Sequence, residues 1–291
     1  MTVHVLTDSS HYLDPATIAE LDLHVLPLSL SINQREYLER IEITTEQLFE
    51  MLKQRDATWP TTAAVTPGAL QVAFDELTRG EDEVVAIFLS RGTSVTVETA
   101  TLVAESHPAR DRIHVVDSLG ISGALALTLL TVAPLAQKGL SGLQVADVAR
   151  RMGHQMRVMF TVDTLDYLHR GGRMKGSQAL LGGILGIKPV LWLNEGRIEL
   201  WSKARGKKRA LESMLEECVR AMPAGQPVIA LLFDAMAPAE KEWMAQQLRA
   251  RLNCQQLYEA QIGPVVAAHV GPGCLAMAVC PVSAVLPESL S

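Results

Sequence analysis

Residues 160–209 read FTVDTLDYLHRGGRMKGSQALLGGILGIKPVLWLNEGRIELWSKARGKKR. Val162, Leu165 and Leu168, three apart, predict a short amphipathic helix. Gly171-Gly172 should halt it, because glycine leaves a helix with positive φ at least cost. Around Gln178 to Leu185 the small residues predict a second helix, whose glycines let a backbone or ligand come close. Ile187–Leu193 and Ile198–Lys203 then flank Asn194-Glu195-Gly196-Arg197, which reads as a hairpin. The hairpin delivers Lys203 and Arg205, and Lys207, Lys208 and Arg209 open the next helix in a chain of net charge −6. Cations at a helix N-terminus oppose its dipole, so this cluster calls for an anionic partner nearby.

Downstream, the pattern predicts a helix over 206–222, a strand over 228–234, a helix over 238–251 and a strand over 257–261. The run Ile262-Gly263-Pro264-Val265-Val266-Ala267-Ala268-His269-Val270 reads as an apolar strand leading to a Gly271-Pro272-Gly273 turn. His269 is either a core histidine or, at the strand end, a group facing a cleft. A last strand covers 274–280.

Upstream of the opening stretch, strands and helices alternate. Strands are expected at 3–6, 25–32, 84–89 and 113–116, and helices at 15–21, 44–54, 67–77, 94–104, 121–136 and 141–156. That alternation predicts a parallel sheet covered by helices. Thr44 and Gln47 are spaced as a capping box, and Thr66-Pro67 reads as an N-cap followed by N1. The loop before Thr66 presents Thr61 and Thr62. Asp8 and Ser9 end the first strand, where open α/β sheets hold ligands, though they could equally cap a turn. Ser94 begins a helix, where it is a plain N-cap or part of an anion site.

The length of 291 residues suits two domains, divided near residue 157. A charged content of 20 % and an apolar content of 48 % describe a soluble globular chain, and net −6 argues against nucleic-acid binding. Cys218, Cys254, Cys274 and Cys280 form no CxxC pair, so no metal site is expected. MTVHVLTDSS lacks the features of a signal peptide, and a cytoplasmic protein is expected. Residues 119–136 carry no charge, but Gly120, Gly123 and Pro134 interrupt them, so a buried helix is expected rather than a membrane span.

DxLxYLxxGGR, then LGxxLxIKPxL, an EG turn, KxRGxKxA and the later IGPVVAAHVGPG together resemble the DegV family. Members are bacterial proteins that bind a fatty acid between two α/β domains, and some serve as the lipid-binding subunit of a fatty acid kinase. The resemblance implies an N-terminal α/β domain (1–156) with a mostly parallel sheet. It also implies a C-terminal α/β lipid-binding domain (157–291) with a mixed or antiparallel sheet. The implied ligand is a long-chain fatty acid with no further cofactor, and the implied partner is a separate kinase that would form an acyl phosphate. By the family pattern, Thr62, Ser94 and His269 meet the carboxylate; Arg205, from the basic cluster that calls for an anion, is expected to join them, with Asp8, Ser9, Thr61, Thr96, Arg173 and Lys203 as secondary candidates. Ala63 and Val95 stand where the family has serine and glycine. The competing class is a serine hydrolase with Ser94 as nucleophile, His269 as base, and Asp8 or Asp117 to orient it. It has no GxSxG elbow to support it. No P-loop or dinucleotide fingerprint is present.

Overall fold

A computed structural model describes residues 2–174 and 186–285. The helix expected over Gln178–Leu185 lies outside the described residues. The chain opens with β1 (Val3–Asp8), a 3-10 turn at Ser9–His11, α1 (Pro15–Glu20), β2 (Leu23–Leu26), β3 (Ser29–Ile32) and β4 (Arg35–Leu38). It continues through α2 (Thr45–Leu52), β5 (Thr61–Ala63), α3 (Pro67–Leu77), β6 (Glu83–Phe88), α4 (Thr96–Ser106), β7 (Ile113–Asp117), α5 (Gly123–Gln137) and α6 (Gly142–Gln155). From residue 157 follow β8 (Arg157–Thr161), α7 (Asp166–Arg170), β9 (Ile187–Asn194), β10 (Arg197–Arg205) and α8 (Lys207–Ala221). Then come β11 (Pro227–Ala235), α9 (Pro238–Arg251), β12 (Asn253–Gln261), α10 (Pro264–Val270) and β13 (Cys274–Pro281).

The first four-stranded sheet, in the order β2-β1-β6-β7, is wholly parallel, as strand–helix alternation requires. A six-stranded mixed sheet, β10-β9-β8-β13-β11-β12, uses strands that all lie at or beyond residue 157; only β11 and β12 run parallel. A small antiparallel sheet, β4-β3-β5, stands beside them. The apolar helix α5 is buried along most of its length and packs against β1 on one side and β11 and β13 on the other. One aliphatic core therefore runs between the two large sheets. Among the described residues, no helix is long and apolar enough to cross a membrane.

Local chemistry accounts for much of this. Thr44 and Gln47 form the expected capping box, Ser141 and Gln144 form another, and Thr66 caps α3 ahead of Pro67. The hairpin turn has φ of 46° at Glu195 and 72° at Gly196, as a type I′ turn requires. The anionic partner sought by the α8 cations is internal in the case of Lys207, whose Nζ lies 3.1 Å from Asp163 Oδ1.

Four expectations are corrected. The run 25–32 is two strands, and the chain passes from the parallel sheet to the small one between Leu26 and Ser29. Thr61 and Thr62 sit on the short strand β5 rather than in a loop, with Leu30 opposite Thr62. Val162 and Leu165 precede α7, which spans only Asp166–Arg170, and the residue with positive φ after it is Gly172 (68°). The run before Gly271 is the helix α10, not a strand; Pro264 occupies its first turn and Gly271 ends it at φ 74°.

Candidate functional site

A cavity of about 370 Å³ lies between the halves of the chain, within the range of small-molecule sites. The first half contributes Leu28, Thr62, Leu89, Thr93, Ser94, Ile121 and Ser122 to its lining. Val158, Phe160, Arg173, Leu193, Ile198, Phe233, His269 and Ala276 come from the second half. Most of the wall is aliphatic or aromatic, and the polar groups are few.

Those polar groups come from several parts of the chain. β5 presents Thr62, whose Oγ1 lies 2.9 Å from His269 Nε2 on α10. Burial, then the charge of Arg173, lowers the His269 pKa to about 4, so the imidazole is neutral at pH 7. His269 Nδ1 is buried without a hydrogen bond, so the hydrogen bond of the ring runs through Nε2 to the Thr62 hydroxyl, in the direction that the tautomer sets. In the tautomer with the proton on Nε2, the Thr62 hydroxyl hydrogen is available to an acceptor in the cavity. Gly171 closes the other side of the ring, where a Cβ would come 2.2 Å from Nδ1.

Ser94 lines the cavity at the approach to α4. The N-cap position is Val95, and Ser94 Oγ accepts from Thr96 N–H (3.3 Å), the first amide of α4, and lies 3.0 Å from Thr96 Oγ1. Val95 has φ −86°, an ordinary conformation, so the absence of the family's glycine costs no backbone strain here. Ser122, at φ 56°, also lines the cavity, with its buried hydroxyl unpaired. A buried orphan hydroxyl in a strained backbone marks a position that a ligand or water would satisfy.

Arg173 supplies the guanidinium. Its Nε donates to Thr93 O (3.3 Å) and its Nη1 to Gly171 O (2.7 Å), while burial lowers its pKa. Among the described residues these bonds leave Nη2 for a ligand. The other lining cation, Arg91, is already paired with Asp117, Nε to Oδ2 at 2.9 Å.

The remaining candidates lie elsewhere. Arg205 and Lys203 occupy exposed positions of β10, outside the cavity lining. Arg205, expected at the head group, is thus not among the described residues that line this cavity. Thr61 is exposed, and Thr96 is buried beneath Ser94. Arg170 stacks over the Trp59 ring at 4.7 Å. Asp8 is fully buried and accepts from Ser10 N, Ser10 Oγ and Leu89 N; burial raises its pKa against those bonds.

Ser9 belongs to a buried network that the sequence did not announce. Its Oγ donates to Glu39 Oε2 (2.6 Å), and Tyr12 Oη donates to Glu39 Oε1 (2.7 Å). The first amides of α10 complete it: Val265 N–H donates to Glu39 Oε1 and Val266 N–H to Tyr12 Oη. These acceptors from the first half satisfy amides that a helix N-terminus leaves open, and so fix the helix that carries His269. Burial, outweighing the hydrogen bonds, raises the Glu39 pKa to about 7.

The hydrolase arrangement is not assembled. Among the described residues no hydrogen bond joins Ser94 to His269, and neither Asp8 nor Asp117 is bonded to the imidazole.

A family model described as "Uncharacterised protein, DegV family" matches residues 2–282. The chain is similar to a DegV domain-containing protein of Deinococcus radiodurans, at 32 % identity over 98 % of this chain and 100 % of that one. Among solved structures it is similar to a DegV family protein from Thermus thermophilus described by its fatty acid binding. That match has 30 % identity and a TM-score of 0.90, covering 97 % of this chain and 100 % of the other. It is also similar to DegV from Bacillus subtilis, described as a fatty acid-binding protein, at 28 % identity and a TM-score of 0.84 over 97 % and 99 %. Matched from residue 2 to residue 282, and in both halves of its fold, this chain belongs to the DegV family.

Proposed function

We propose that this protein binds a long-chain fatty acid in the cavity between its two α/β halves, taken as domains 1–156 and 157–291. The carboxylate is held by Arg173, Thr62 and Ser94, with His269 acting through Thr62. One observation carries the reading: a mostly apolar cavity has its few polar groups gathered as hydroxyls, a neutral imidazole and a half-buried guanidinium. The wall suits an acyl chain, each buried methylene contributing up to about 0.8 kcal/mol. The polar groups suit its carboxylate, which would otherwise be neutralised by desolvation. The relatives from Thermus thermophilus and Bacillus subtilis, both described as binding fatty acid, support the same reading. We further propose that hand-over to a separate kinase uses the exposed cations Lys203 and Arg205 on β10, where an incoming phosphate would meet positive charge.

Displacement of a fluorescent fatty acid probe by palmitate and oleate tests the binding. Ser94→Ala and His269→Ala should each weaken both ligands about tenfold or more, the value of a hydrogen bond to a charged group. Unchanged affinity in both variants would remove the head group from this end of the cavity.

A further inference from the structure

Away from the cavity, at the edge of the parallel sheet, three metal-ligating side chains converge. In parallel pairing Val5 stands opposite Leu23 and Leu6 opposite His24. His4, two residues before Leu6, therefore shares a face of the sheet with His24, and Asp22, at φ 50°, stands just ahead of β2. One nitrogen from each ring and one Asp22 carboxylate oxygen lie within 4.8 Å of one another. The imidazole rings meet edge to face, with centroids 5.2 Å apart.

A second observation is independent of this spacing. His4 Nδ1 and His24 Nε2 are both buried and neither has a hydrogen-bond partner. Buried ring nitrogens without partners are rare unless something binds them. The other nitrogen of His4, Nε2, faces Asp82 Oδ2 at 3.5 Å. A carboxylate behind one ring nitrogen is the arrangement that orients a metal-binding histidine and raises its basicity.

We propose that His4, His24 and Asp22 bind one divalent ion of the zinc class, with Asp82 as the orienting carboxylate. Two imidazoles and one carboxylate are a donor set that Zn²⁺, Co²⁺ and Ni²⁺ accept. Three protein ligands leave one position to water. Bonds of about 2.0–2.2 Å require the donors to draw closer than they stand now. Rotation of three side chains at a sheet edge provides that movement. The ion would tie the edge strand β2 to β1. No sequence motif announces the site, because its ligands come from two strands that are adjacent only after folding.

The test uses the full chain without an affinity tag, stripped of metal and titrated with Co²⁺, followed by Zn²⁺ competition. The expected result is one equivalent bound, with visible absorption of tetrahedral or five-coordinate Co²⁺, and a rise in Tm with Zn²⁺. His4→Ala and His24→Ala should each lose this saturable binding, and Asp82→Asn should weaken it roughly 10–100-fold. His154→Ala, at an exposed histidine paired with Glu195, should bind as the wild type does. Far-UV circular dichroism of the metal-free variants establishes that they are folded, and His24→Gln replaces His24→Ala if the latter is not. Absence of saturable binding, or equal binding by the His4 and His24 variants, overturns the proposal.

Discussion

Arg173→Ala should lower affinity for a long-chain fatty acid by about 3 kcal/mol, roughly a hundredfold, the usual consequence of removing one partner of a desolvated charge pair. Arg205→Ala should change it less than twofold. The contrast follows from placement: Arg173 lines the cavity and is anchored by Thr93 O and Gly171 O, whereas Arg205 occupies an exposed position of β10. Arg173→Lys should recover only part of the loss, since an ammonium cannot keep both carbonyl bonds and offer a further donor in the same plane. The pH dependence supplies a second readout. Without the guanidinium, the ligand enters preferentially as the neutral acid, so the defect should shrink as pH falls towards the carboxylic pKa and widen above it. Isothermal titration of the three variants between pH 5 and pH 8 measures both effects.

Glu39→Ala should destabilise the folded protein by about 3 kcal/mol or more. It leaves the Ser9 and Tyr12 hydroxyls and the Val265 amide without their acceptor in a buried site, and each orphaned group costs about 1–3 kcal/mol. Glu39→Gln keeps an acceptor and removes the titration. The wild-type carboxyl has its pKa raised from 4.5 to about 7, so the folded state holds its proton more tightly than the unfolded state does. Its stabilising contribution is therefore complete below about pH 4.5 and is lost as pH rises to about 7. Relative to Glu39→Gln, the wild type should lose on the order of 3 kcal/mol across that window. Urea denaturation at several pH values gives this difference. Equal pH profiles for the two proteins would mean that the Glu39 pKa is the same in the folded and unfolded states. Because Glu39 and Tyr12 hold the first amides of α10, Glu39→Ala should also weaken fatty acid binding through His269.

Much of this architecture was legible in the residues. Capping boxes at Thr44 and Ser141, Pro67 after Thr66, and the turn at Glu195-Gly196 each carry local chemistry that tertiary context did not overturn. Alternation of strand and helix through residue 156 gave the parallel sheet. What failed were short apolar runs, whose period cannot separate a buried strand from a buried helix. Pro264-Val265-Val266-Ala267-Ala268-His269-Val270 is one, and there the glycines at 263 and 271 that bracket a seven-residue helix were the better signal. Val25 to Ile32 is another, where Pro27 marked the break between two sheets.

At the site, Thr62, Ser94 and His269 were identified through family motifs, and they line the cavity. Arg205 was added to them because its basic cluster calls for an anionic partner. Period-two reading of β10 would have grouped it with Arg197, Glu199, Trp201 and Lys203 on the exposed positions. Glu39 and Tyr12 could not be found this way. Their partners at 265 and 266 are more than 220 residues distant in sequence, and no local pattern encodes such a contact.

The most direct test is the content of the cavity after expression in bacteria. The protein is purified, denatured and extracted, and the lipid is identified by mass spectrometry, with Arg173→Ala and His269→Ala treated in parallel. Close to one long-chain fatty acid per wild-type chain is expected, with strong depletion in both variants. A wild-type protein that carries no fatty acid, and takes up none of the palmitate or oleate added to it, would contradict the proposed binding.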